Sequence, residues 1–89
     1  MATFERVWRN ILAHAGEEFL TKRGLPFRYT IDGNAIVPDR TQYPLHISQV
    51  RLAVERWPVS GPGQLNDLVR GPSYLYALLA DARIMAGGR

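Results

Sequence analysis

FRYTIDGNAIV, residues 27–37, is the stretch on which the fold turns. Two short runs of β-branched and aromatic residues flank Asp32, Gly33 and Asn34, a composition suited to tight chain reversal, so the segment predicts a β-hairpin. Phe27, Tyr29 and Ile31 alternate onto one side, and Arg28 and Thr30 onto the other. Three registers are open. A Gly33-Asn34 loop pairs Ile31 with Ile36, an Asp32-Gly33 loop pairs Tyr29 with Ile36, and a three-residue loop pairs Tyr29 with Val37. Each leaves the inward side of the second strand apolar.

Upstream of the hairpin, Phe4, Val7, Trp8, Ile11, Leu12, Ala15 and Phe19 recur at three- and four-residue steps, which predicts an amphipathic helix beginning after Thr3 as N-cap. Gly24 and Pro26 then supply the stop, with Lys22 and Arg23 in the last turn. Gly16 and Glu18 both disfavour an uninterrupted helix, since Glu18 falls near the apolar stripe unless the helix bends or ends early. Downstream, PDRTQYPLHI (38–47) carries two prolines and reads as an extended connection with a short third strand near Leu45 to Ile47. Ser48 is the expected N-cap of the next helix, Val50, Ala53, Val54 and Trp57 its buried stripe, and Pro58 its end. A short helix from Pro62 to Arg70, a break at Gly71 and a last helix opening at Pro72 or Ser73 complete the chain. In that last helix Leu75, Leu78, Leu79 and Ala82 share a face flanked by Tyr74 and Tyr76. Trp8, Ile11, Phe19, Tyr29, Ile31, Val54, Leu75 and Leu78 are expected to share one core.

The fold class is therefore α+β: one small domain over residues 1–89, with an N-terminal amphipathic helix, a small hairpin-based sheet and then three helices, residues 84–89 forming a frayed tail. A chain of 89 residues buries only about 60 to 65% of the surface its unfolded form exposes, so a partner or a second copy is a real route to stability. No cysteine is present, which removes disulfides and thiolate metal sites and fits a reducing compartment, the cytoplasm being the expected one. Charges recur every few residues through the N-terminus, and no run reaches membrane-spanning length, so neither a signal peptide nor a membrane partner is expected.

The net charge is +3, the pI is about 9.8, and ten of the eleven basic residues are arginine. Such a balance suits nucleic acid or another acidic surface if the arginines gather on one face. Lys22, Arg23, Arg56, Arg70 and Arg83 all fall near expected helix ends, where a cation complements the helix dipole without any ligand. Arg6, Arg9, Arg28, Arg40 and Arg51 lack that explanation. QLNDLVRGPSYLYALLADARI (64–84) has the outline of a helix-turn-helix, but Asp67, Arg70 and Pro72 hold positions that the motif reserves for small or apolar residues.

Catalytic patterns are weaker still. His14 and His46 have no ligand spacing, Ser48, Ser60 and Ser73 occupy capping or turn positions, and the adjacent Glu17 and Glu18 point in different directions from a helix. The glycine-rich SGPGQLN (60–66) and RGPSY (70–74) offer backbone N–H groups at helix starts, yet neither has the lysine of a phosphate loop, and turning the chain explains both.

The expected function is non-catalytic DNA binding through arginine–phosphate contacts around the hairpin. Arg28 and Arg40 are the favoured pair, with Arg51, Thr30 and Asn34 completing the contact set. The alternative is a protein-interaction or self-associating module in which Tyr74 and Tyr76 anchor an interface on the C-terminal helix. No cofactor or metal is expected in either case.

Overall fold

A computed structural model of the chain describes residues 3–85. It is an α+β fold whose elements follow in the order α1 (Phe4–Ala13), β1 (Phe19–Leu20), β2 (Pro26–Phe27), β3 (Tyr29–Asp32), β4 (Ala35–Pro38), β5 (Leu45–His46), α2 (Ile47–Arg56), a 3-10 turn (Pro62–Leu65), α3 (Pro72–Ala80) and α4 (Ala82–Met85). Strands β1 and β2 form an antiparallel pair, and β3, β4 and β5 form an antiparallel sheet in that order.

The hairpin takes the first of the three registers. Ile31 faces Ile36 and Asp32 faces Ala35, leaving Gly33 and Asn34 as a two-residue loop. Gly33 has φ of +59° while Asn34 stays at negative φ, the signature of a type II′ turn with glycine first. The hairpin is shorter than its sequence suggests. Arg28 interrupts it, and Phe27 belongs to β2, where it pairs with Phe19. The third strand expected near Leu45 is β5, which pairs with β4.

Thr3 caps α1, its hydroxyl accepting the Arg6 N–H at 3.3 Å. The helix ends six residues short of Phe19, the last member of the apolar spacing. Gly16 takes φ of +90°, outside the helical region, and its N–H donates to the Tyr29 carbonyl at 2.9 Å, so the chain leaves α1 by bonding to β3. Phe19 is thereby carried out of the helical stripe and into a buried strand position, where its ring centre lies 5.6 Å from that of Tyr29 and 6.1 Å from that of Phe27. Burying such a ring contributes about 1.5 to 3 kcal/mol, more than Ala15 and Phe19 would gain on an exposed helical extension. Lys22 and Arg23 consequently sit in the β1–β2 connection rather than at a helix end.

Four further expectations are corrected. His46, not Ser48, caps α2: its Nδ1 accepts the Ser48 N–H at 3.1 Å. The segment from Pro62 is a single 3-10 turn, too short to be the first helix of a helix-turn-helix. The last helix divides at Asp81, whose backbone is extended, so Ala82 is exposed on α4 rather than continuing the buried face. Ile84, expected to fray, is fully buried, and the 86–89 part of the expected tail lies outside the described residues.

Helix α3 is apolar on nearly every side, with Leu75, Ala77, Leu78 and Leu79 all buried, and it contacts α2, α4, β1 and the 3-10 turn. It is the central strut of the core. Of the expected core, Ile11, Phe19, Tyr29, Leu75 and Leu78 are buried, and Trp8, Ile31 and Val54 pack partly buried at its edge. No helix among the described residues is long and apolar enough to cross a membrane.

Candidate functional site

Arg28 and Arg40 meet at the open end of the hairpin. Asp39 joins them: its carboxylate accepts the Arg28 N–H at 3.1 Å, and its own N–H donates to the Arg28 carbonyl at 2.9 Å. The Arg28 guanidinium is already engaged, donating to the Gly16 carbonyl at 2.7 Å and lying 3.7 Å from the Glu18 carboxylate. Arg40 uses only Nε, which donates to the Pro26 carbonyl at 2.6 Å, so its two terminal amino groups have no partner among the described residues.

Arg51 does not join this pair. Its guanidinium lies 4.2 Å from the centre of the Phe4 ring at the start of α1, whereas Gly16 lies beyond the end of that helix. Ten residues at about 1.5 Å each separate the two by roughly 15 Å along the axis. Thr30 is exposed on β3, and Asn34 sits in the hairpin loop with its carbonyl accepting the Ile47 N–H at 2.7 Å; neither lines the clefts that hold Lys22, Arg23 and Arg70.

A second group of cations surrounds the first turn of α3, where two clefts adjoin and share Ser73 and Tyr74 as a common wall. The larger, about 460 Å³, is lined by Lys22, Arg23 and Leu25 of the β1–β2 connection on one side and by Pro62 and Asn66 on the other. The smaller, about 300 Å³, is lined by Thr41, Tyr43, Leu45 and Arg70. No aspartate or glutamate is among the described residues lining either cleft. Arg40 lines neither cleft, but it is bonded to Pro26, next to Leu25 of one, and precedes Thr41 of the other.

Local sequence explains these positions. Thr21 closes the β1–β2 connection by donating its N–H to the Leu25 carbonyl at 2.9 Å and accepting the Leu25 N–H on its hydroxyl at 3.1 Å, which turns Lys22 and Arg23 outward together. Lys22 reaches the Ser60 carbonyl at 3.1 Å and lies 5.8 Å from the centre of the Tyr76 ring; Arg23 has no polar partner among the described residues. Arg70 lies with its guanidinium 5.2 Å from the centre of the Tyr43 ring, the one aromatic ring among the large exposed apolar side chains.

Tyr74 and Tyr76 are half-buried. Tyr74 meets Phe27 edge-on at 5.0 Å, and Tyr76 packs on Trp57 at 5.7 Å with its hydroxyl 3.5 Å from the Ser60 carbonyl. Both rings form the edge of the core, and Tyr74 also supplies the wall between the clefts.

By sequence pattern Lys22, Arg23 and Arg70 read as helix-end cations, and no motif marks Tyr43 as a contact residue. The available signals were the Gly24-Leu25-Pro26 turn after two consecutive cations, and an aromatic residue immediately before Pro44 in a polar loop.

Chemistry of other kinds finds little support. His14 pairs with Glu17 at 2.9 Å and His46 with Ser48 at 3.0 Å, and no group of three metal-ligating side chains occurs among the described residues. The hydrogen bond from His14 holds the Glu17 carboxyl below its ordinary range, helped by Arg83, on a side chain that is open to solvent.

The α+β fold thus carries two adjoining clefts around the first turn of α3 whose described lining residues include Lys22, Arg23 and Arg70 and no carboxylate. Comparison with known proteins finds no protein-family model, no curated protein and no solved structure that matches the chain.

Proposed function

We propose that this chain is a non-catalytic nucleic-acid-binding module, and that its contact face is the pair of clefts beside α3, with Arg40 beside them, rather than the hairpin loop. The observation that carries the reading is the lining itself: Lys22, Arg23 and Arg70 with no carboxylate to neutralise them. Exposed cations held on one face without counter-charges are what a phosphate backbone requires, since neutralising each phosphate releases condensed counterions and drives association. Arg28 stands at the margin because its guanidinium is committed to Gly16 and Glu18, and Arg51, Thr30 and Asn34 lie outside the face. A cytoplasmic location accords with this role and with the absence of cysteine.

Anisotropy titrations of labelled DNA at two salt concentrations test the proposal. Binding should weaken steeply with salt, and the combined Lys22→Ala, Arg23→Ala and Arg70→Ala variant should bind more weakly with a shallower salt dependence, each lost phosphate contact removing about 0.7 to 0.9 from the slope. Unchanged affinity in that variant, or an equal loss from Arg51→Ala alone, would overturn the assignment of the face.

One observation favours a second reading. Leu20 of β1 and Leu25 of the β1–β2 connection, the latter in the wall of the larger cleft, are both more than half exposed, and exposed leucines of this kind suit a protein partner or a second copy of the chain. In that case sedimentation would show association that Leu20→Ser with Leu25→Ser abolishes, and nucleic acid would not compete.

A further inference from the structure

Resting on the nucleic-acid reading, we infer that the ligand is a single strand, one of whose bases stacks on the ring of Tyr43. Among the described residues the other aromatic rings are buried or packed against the core, whereas Tyr43 is 56% exposed. A tyrosine left in water gains nothing for the fold and loses the area it could bury.

The backbone that carries the ring is also held. The Tyr43 N–H donates to the Thr41 hydroxyl at 3.2 Å, Pro44 restricts the backbone that follows, and the Arg70 guanidinium lies near the ring. A held backbone lessens the ordering that binding a flat ligand would cost, which suits a stacking platform.

Shape selects single strands over duplex. In a duplex the base faces are covered by their neighbours, so Tyr43 would find only edges and backbone, and reading the major groove needs a projecting helix or ribbon that enters a channel about 12 Å wide. Here the first turn of α3 lies between two depressions instead of projecting. A flexible strand can lay a base against Tyr43 in the smaller cleft while its phosphates reach Arg70, and Lys22 and Arg23 across Tyr74, an arrangement of aromatic platform and basic track that is indifferent to sequence.

The test uses the whole chain with labelled oligothymidine and oligouridine of about ten nucleotides, and a duplex of matched length. Single strands should bind more tightly than the duplex at equal salt. Tyr43→Ala should weaken single-strand binding about 5- to 150-fold, the range that corresponds to loss of one stacked base, while Tyr43→Phe retains it. Tyr43 ring protons should move upfield in NMR spectra on binding. Thermal melts of Tyr43→Ala should match the wild type, because the ring is exposed, so weaker binding is not a folding defect. Duplex bound as tightly as single strands, or Tyr43→Ala binding like the wild type, would overturn the inference and leave the nucleic-acid reading standing. Failure of every probe to bind at low salt would overturn both.

Discussion

The guanidinium of Arg83 lies 3.8 Å from the centre of the Phe19 ring and ties the start of α4 to the segment that follows α1. Around its rim it donates to both Asp81 carboxylate oxygens at 2.9 and 3.0 Å, to Glu17 at 3.1 Å and to the Glu18 carbonyl at 3.0 Å. One planar cation thus covers a buried aromatic ring and joins parts of the chain separated by more than sixty residues.

Arg83→Ala should therefore destabilise the fold by about 1 to 2 kcal/mol, a figure reduced for the partial exposure of the side chain. Arg83→Lys should recover little, since an ammonium cannot reproduce the two-pronged contact with Asp81. Urea denaturation of the two variants would check this, and a lysine variant as stable as the wild type would refute the role of the planar fork.

Stability should also fall in acid. The paired hydrogen bonds from Arg83 hold the Asp81 carboxyl below its ordinary range, against an opposing effect of burial. A carboxyl depressed in the folded state contributes its full stability above the unfolded pKa and loses it as pH falls through the ordinary carboxylate range and below. The drop in urea midpoint from neutral pH to acid should be smaller for Asp81→Asn than for the wild type; equal drops would show that the acid response arises elsewhere.

Tyr29→Phe should cost about 1 to 2 kcal/mol despite preserving the ring. The Tyr29 hydroxyl donates to the Ile11 carbonyl at 2.6 Å in the buried interior, and removal leaves that carbonyl near the end of α1 without this donor. Burial pushes the Tyr29 phenol up, so the donor keeps its proton across the whole range in which the protein would be handled. Melting temperatures of the variant and wild type would decide.

Gly16→Ala separates two accounts of the N-terminal segment. Had the helix continued to Phe19, alanine would stabilise it by about 1 kcal/mol. With φ at +90° and no atom within 4 Å of an added Cβ, the cost is backbone strain alone, and the variant should lose about 1 to 2 kcal/mol. A thermal melt reads the sign directly.

The hairpin was legible because its determinants are local: turn composition, alternation and β-branching all lie within eleven consecutive residues. The Thr3 cap and the breaks at Pro58 and Gly71 were legible for the same reason. Phe19 was misread because its helical spacing from Ala15 is genuine, and only the aromatic partners Phe27 and Tyr29, brought in by a strand pairing, outweigh it. The cations suffered similarly. Lys22 and Arg70 sit far apart in sequence and line adjoining clefts only because α3 passes between the β1–β2 connection and the loop that carries Tyr43. Convergence of that kind is a property of tertiary structure, and local pattern does not encode it.

Asn10 on α1 donates its side-chain amide to the Ile84 carbonyl at 2.7 Å, a bond that spans 74 positions of the chain. Helices α1 and α4 thus close the domain as a ring in which early and late segments complete one another. Because loop-closure entropy disfavours bringing such distant segments together before the intervening chain has ordered, this seam should form late on the folding route. A weakened seam would then leave the refolding rate nearly untouched and accelerate unfolding, so that the lifetime of the native state, more than the speed of reaching it, is governed by four residues of α4.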